Sequence, residues 1–165
     1  MELVFRKADI SDAEAIGKVH YQGWMETYTG LIDPDYLAGR SPEQSAEAAR
    51  KSQCRNRIVA AVDGTIVGFC GYGAPRDAGI PEGWGEIQGI YILRNYQGLG
   101  LGRGLMERAA AELKALGYDA AFLWVLDSNT HAIGFYEKLG WQFTGAEKTA
   151  VLGTPVTEKQ YWISL

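Results

Sequence analysis

The spacing of apolar positions divides the chain into strand-like and helix-like segments. Leu3 to Lys7 has the pattern of a short strand, and Ser11 followed three residues later by Glu14 is a capping-box signal that predicts a helix start. Ile16, Val19, His20, Gly23 and Trp24 then recur at helical intervals, and the helix runs toward Tyr28 until Thr29-Gly30 and Asp33-Pro34 interrupt it. Ser41 before Pro42 predicts a second helix to about Lys51, since serine caps and proline suits the first helical position; its polar composition places it on the surface. Arg57 to Val62 and Thr65 to Tyr72 flank Asp63-Gly64, a dipeptide suited to a type I′ turn, so two antiparallel strands are expected.

A loop carrying Pro75 and Pro81 leads to a third strand in this run, from about Glu86 to Leu93. Leu101, Leu105, Met106, Ala109, Leu113 and Leu116 repeat every three or four residues, and Gly117 supplies the left-handed residue that ends the helix. Ala120 to Leu126 is almost wholly apolar, as expected of a strand buried on both faces. A last helix carries Ile133, Phe135, Tyr136 and Leu139 and stops at Gly140. Trp141 to Lys148 and Thr157 to Ser164 are then strands joined around Gly153-Thr154-Pro155. The order β-α-α-β-β-β-α-β-α-β-β predicts an α/β fold, of the α+β kind with a mixed sheet and helices on both faces. With no repeat or linker, a single domain over residues 1–165 is expected.

Composition narrows the function. At 165 residues, 47% hydrophobic and 22% charged, the chain suits one core. No apolar run is long enough to span a bilayer, and acidic residues interrupt the N-terminal stretch where a signal peptide would be apolar. A soluble, cytoplasmic protein with no membrane partner is the expectation. A net charge of −4 provides no basic face for nucleic-acid phosphates, so no nucleic-acid partner is expected. Cys54 and Cys70 lack C-x-x-C spacing and read as free thiols, Cys70 as a small core residue. His20 and His131 stand alone, so no metal site is expected.

Candidate chemistry concentrates at Gln97-Gly98-Leu99-Gly100-Leu101-Gly102-Arg103-Gly104, where four glycines alternate between a strand and a helix. Such a turn aims backbone N–H groups into one concavity at the positive end of a helix, a site for phosphate. It lacks the G-x-G-x-x-G and G-K-[ST] patterns of dinucleotide and nucleoside-triphosphate loops. The alternative is a tight turn whose glycines merely allow close packing.

The stretch Glu86 to Leu93 followed by Gln97-x-x-Gly100-x-Gly102 resembles the acyl-CoA motif of GNAT N-acetyltransferases. Asn129 followed by Ala132-x-x-Phe135-Tyr136-Glu137-Lys138-Leu139-Gly140-Trp141 resembles that family's second element, with tryptophan in place of the usual phenylalanine. The likeness covers most of the chain, is specific from about residue 86 to 143, and is loose before residue 56. It implies acetyl-CoA as co-substrate, with the pyrophosphate on the amides of Gln97, Gly98, Leu99, Gly100, Leu101, Gly102 and Arg103. Pantetheine would lie against Ile90, Tyr91 and Ile92 in a gap beside a bulged strand, and Asn129 would bond it while also capping its helix.

The same likeness makes Tyr136 the general acid and Glu86, eleven residues before Gln97, the general base; a core tyrosine and a solvent-facing strand end are the alternatives. Trp24 and Tyr28, within Gly23-Trp24-Met25-Glu26-Thr27-Tyr28-Thr29-Gly30, resemble a pattern in members that acetylate small molecules. They are candidates for the acceptor end, or core aromatics. A small-molecule amine is the implied acceptor, with protein acetylation and a catalytically idle acyl-CoA sensor as alternatives. The apolar ending Gln160 to Leu165 permits a homodimer.

Overall fold

Asp63 and Gly64 fold the chain back as their pattern predicts, both with positive φ (49° and 84°), and join β2 (Arg57–Val62) to β3 (Thr65–Gly73). The computed structural model describes all 165 residues. Its other strands are β1 (Leu3–Lys7), β4 (Trp84–Ile92), β5 (Ala120–Leu126), β6 (Gln142–Leu152) and β7 (Thr154–Ser164); its helices are α1 (Ala13–Tyr28), α2 (Pro34–Ala38), α3 (Pro42–Lys51), α4 (Leu101–Ala115) and α5 (Thr130–Lys138). The strands form one mixed sheet in the order β1-β2-β3-β4-β5-β7-β6. Only β4 and β5 run parallel, because α4 carries the chain across between them; every other pair is antiparallel.

Each face of the sheet is closed by helices whose apolar stripes were visible in the sequence. The α4 stripe of Leu101, Leu105, Met106, Ala109 and Leu113 is buried with Ile58, Ala60, Val67, Cys70 and Ile87, and Tyr136 and Trp141 complete that core. Leu105 and Leu113 are fully buried, so truncating either to alanine would cost about 2–5 kcal/mol. On the other face Ala13, Ile16 and Val19 of α1 pack with Ala49, Cys54, Val59 and Phe69. Both cysteines are free and Cys70 lies in the core, as expected; Cys54 is buried as well, and burial pushes the Cys70 thiol up to about 12.

Several local expectations are corrected. The reciprocal cap at the first helix is made by Asp9 and Asp12 around a 3-10 turn, not by Ser11 and Glu14, and α1 starts at Ala13. Asp12 prevails because its carboxylate also takes two hydrogen bonds from Arg6, at 2.7 and 2.8 Å. α1 already ends at Tyr28, with Thr29 as its C-cap, and Asp33-Pro34 starts the short α2, with Asp33 accepting from the Asp35 N–H. Ser41 and Gln44 cap α3 as predicted, yet α3 is not merely superficial: Ser45, Ala46 and Ala49 are buried, and a Cβ on Gly17 of α1 would meet Ala46 at 2.5 Å. The β6–β7 hairpin is longer than expected and turns at Gly153, where φ is 81°.

Candidate active site

The parallel pairing of β4 with β5 holds only over Trp84, Gly85 and Glu86, opposite Ala120, Ala121 and Phe122. From Ile87 onward the strands diverge, and β5 pairs only with β7. A bulge accounts for the divergence: against β3, Gly71 pairs with Gly89 but Tyr72 pairs with Ile87, so Gln88 is the extra residue that turns β4 aside. Leu93 donates its N–H to the Val67 carbonyl in the same register, so the polar groups of Tyr91 face β3. By the alternation of an antiparallel ladder, those of Ile90 and Ile92 face the gap. The gap thus offers an unpaired strand edge at Ile90 and Ile92, while Tyr91, expected beside them, turns its backbone away.

Beyond the gap lies the glycine turn. Gly98 and Gly100 have φ of 83° and 82°, and a Cβ on either would meet nothing within 4 Å. Gly100 caps α4 without a side-chain bond, and the first helical backbone bond is Gly104 N–H to Gly100 O. The N–H groups of Leu101, Gly102 and Arg103 therefore have no acceptor in their own helix and point out at its positive end, into the concavity that Gly98 and Gly100 leave open. Gln97 reaches back to donate to the Ile92 carbonyl at 3.1 Å, tying turn to strand. The other two glycines answer to packing: a Cβ on Gly102 would lie 2.8 Å from the Phe135 ring, and one on Gly104 would collide with Phe5.

A cavity of about 1220 Å³ runs from this turn, along the gap, to the ends of α1 and β7. Asn129 on its wall caps α5 by accepting the Ala132 N–H at 3.2 Å, which leaves its amide N–H₂ free. Tyr136 is 8% exposed, packs at a tilt against Phe135 and Trp141, and has no hydrogen-bond partner for its hydroxyl within the protein. Burial, with smaller contributions from Cys70 and Tyr91, pushes that phenol well above its ordinary value, so it stays protonated as a donor.

The far end of the cavity is aromatic and charged. Trp24 donates its indole N–H to the Tyr91 hydroxyl at 2.9 Å, packs against Tyr28 at 4.7 Å between centroids, and carries the Arg40 guanidinium over its ring at 4.1 Å. Trp24 and Tyr28 line the cavity, and Glu26 between them accepts the Arg94 N–H at 2.7 Å and anchors the segment before the glycine turn. His20 packs against Trp24, Phe69 and Tyr91, and burial, aided by Arg40 and Arg57, pulls its pKa down to about 4.

Glu86 is 1% exposed, which removes the solvent-facing reading of this residue. One of its oxygens accepts from the Arg76 main-chain N–H at 3.0 Å and from Arg76 Nε at 3.2 Å; the other accepts from Nη2 at 2.9 Å. Beside this pair Lys148 Nζ bonds Asp77 at 2.7 Å and lies 4.4 Å from the Trp124 ring centroid. Glu158, opposite both Leu126 and Lys148 in the ladder, lines the same space. Arg76, Lys148 and Glu158 were not singled out in the sequence. Arg76 sits in an irregular loop without a motif, and the other two each belong to an ordinary Glu-Lys pair on a strand, Glu147-Lys148 and Glu158-Lys159; no local pattern marks them.

The arrangement has counterparts among known proteins. The model of the acetyltransferase (GNAT) family matches residues 21–141. The N-acetyltransferase YuaI of Bacillus subtilis is 29% identical over 155 residues, covering 93% of this chain and 88% of the relative. A spermidine N(1)-acetyltransferase of Thermoplasma acidophilum is 25% identical over 150 residues, 86% of this chain and 89% of the relative. The fold superposes on the crystal structure of the PaiA N-acetyltransferase of Thermoplasma acidophilum in complex with coenzyme A, with a TM-score of 0.78, 22% identity, and 96% and 98% of the two chains covered. With the family's matched region spanning the bulged strand, the glycine turn and the Asn129–Trp141 segment, this chain belongs to the GNAT acetyltransferase family.

Proposed function

We propose that the protein is a cytoplasmic N-acetyltransferase, one domain over residues 1–165, that passes the acetyl group of acetyl-CoA directly to the primary amine of a small molecule. The observation that carries the reading is the unpaired β4 edge at Ile90 and Ile92, set between the glycine concavity and the charged pocket. The orphan N–H groups of Leu101, Gly102 and Arg103, with the open positions at Gly98 and Gly100, suit the pyrophosphate. Pantetheine then adds to β4 as a short strand, with the free amide of Asn129 beside it. The Ile92 N–H polarises the thioester carbonyl, and the Tyr136 hydroxyl donates to the departing sulfur.

The acceptor enters from the Trp24 and Tyr28 side, where a carboxylate-bearing pocket suits a cationic amine such as the substrate named for the spermidine relative. Pairing of two copies through β6 belongs to the same reading, supported by Phe143 and Val151, 43% and 69% exposed on that strand. The test is release of free thiol from acetyl-CoA with a panel of spermidine, 1,4-diaminobutane, lysine, phenethylamine and an alanyl peptide. Turnover of a small amine is expected. Turnover of the peptide alone would move the reading to protein acetylation, and tight coenzyme binding with no turnover on any amine would make the protein a sensor.

A further inference from the structure

Acetyl transfer to an amine that arrives as ammonium needs a group to take its proton, and two glutamates line the cavity. Glu86 has both oxygens engaged by Arg76, one of them twice, in a site closed to solvent. A carboxylate so held has three of its roughly four lone-pair sites taken by Arg76, two of them by a guanidinium that stays charged, so little of it is left to receive an incoming ammonium. Glu158 is the opposite case. It lies mostly buried on β7, and no side chain or backbone group donates a hydrogen bond to it. Its cross-strand neighbour Lys148 is drawn instead to Asp77 and the Trp124 ring.

We propose that Glu158, not Glu86, accepts the proton of the incoming ammonium, directly or through one water, while Glu86 serves to fix Arg76 at the wall of the pocket. The assignment rests on the acetyl-transfer reading given above. Its geometry is that of the cavity, whose wall carries Glu158, Tyr28 and the proposed acid Tyr136 together. The charged and titratable groups facing Glu158 are Lys148 on β6, Asp77 and Arg76 in the loop before β4, Glu86 on β4 and Tyr28 on α1. Burial, opposed by Lys148, raises its pKa from the ordinary glutamate value, the direction that makes it a better proton acceptor than a solvated glutamate.

The step balances. Glu158 takes one proton from R–NH₃⁺; the freed lone pair attacks the thioester carbon, the C–N bond forms and the C–S bond breaks. The second proton lost by nitrogen goes to the sulfur by way of Tyr136, giving the amide and free thiol. Glu158 then returns its proton to water.

Kinetics of the wild type, Glu158→Gln, Glu158→Asp and Glu86→Gln against pH test the assignment, using whichever amine of the panel the wild type turns over. Glu158→Gln should lose about a hundredfold in kcat near neutrality, with acetyl-CoA affinity kept and activity climbing with pH as free amine becomes available. Glu158→Asp should retain part of the activity and the acidic limb. Melts run alongside should show Glu158→Gln to be at least as stable as the wild type at pH 7, since it removes a buried unpaired charge. An acidic limb unchanged in Glu158→Gln, or lost only in Glu86→Gln, overturns the assignment; so does a rise in the acceptor KM with kcat intact, the sign of a carboxylate that only holds the ammonium. A wild type that turns over no amine overturns the acetyl-transfer reading and this assignment with it.

Discussion

Replacing Arg76 with methionine tests the clamp on Glu86 without touching the backbone. Arg76→Met keeps the aliphatic stem and the main-chain N–H that donates to Glu86 at 3.0 Å, but removes the Nε and Nη2 donors at 3.2 and 2.9 Å. A buried ion pair broken from one side costs about 3–5 kcal/mol, because the remaining charge is stranded. Here the Arg76 side chain is 58% exposed while Glu86 is 1% exposed, so water replaces part of the lost solvation and about 2 kcal/mol is expected. For a chain of this length that is a fall in Tm of roughly 4–8 °C. Adding Glu86→Gln to Arg76→Met should restore about half of the loss or more, since an uncharged amide needs no counterion, and a double-mutant cycle from urea melts at pH 7 measures the coupling. A cost below about 0.5 kcal/mol would identify the pair as a solvent-screened surface contact. Glu86 would then be free to act as the base, and the case for Glu158 would lose its premise.

The glycines separate by cause. Gly100→Ala must hold an alanine at φ 82°, at roughly 1–2 kcal/mol, and puts a methyl into the open concavity, so calorimetry should show coenzyme A affinity down more than tenfold. Gly102→Ala instead meets Phe135, and melts should show a stability loss of about 1–3 kcal/mol that Phe135→Leu relieves. Tyr136→Phe preserves the packing and should lower kcat about ten- to a thousandfold with acetyl-CoA affinity kept; wild-type turnover by the folded variant would remove the phenol from the mechanism. Because burial raises this phenol, the wild-type rate should show no basic limb at the ordinary tyrosine value of 10. In the folded protein His20 binds its proton only near pH 4, whereas the unfolded chain binds it near 6.5. Its contribution to stability is complete above that value and is lost as pH falls from about 6.5 toward 4, by at most about 3 kcal/mol. In His20→Gln the unfolding free energy should fall less over that window.

Much of the fold is legible in one dimension because its determinants are local. The 3.6-residue stripe of α4, the Asp63-Gly64 turn and the Ser41-Pro42 start each rest on neighbours a few residues apart, and each appears where the pattern places it. The glycine turn was legible too, since glycines just before a helical stripe mark a place where the backbone can take the positive φ that Gly98 and Gly100 adopt. What that turn needed each glycine for was not. Gly98 and Gly100 answer to φ and open space, Gly102 and Gly104 to rings brought in from α5 and β1.

The charges at the far end of the cavity lie beyond any local signal. A glutamate eleven residues before the turn can be read as a base, but whether its oxygens are free depends on Arg76, brought to it by a loop with no periodicity. Lys148 and Glu158 meet only through the β6–β7 register, and Lys148 is then taken by Asp77, 71 residues away. Local rules act through the backbone between neighbours, so the sequence by itself determined the main strands and helices and the glycine turn. The balance of charge in a cavity depends on which side chains from distant segments share the same few ångströms and on how far water is excluded from them, and that was decided only by the tertiary structure.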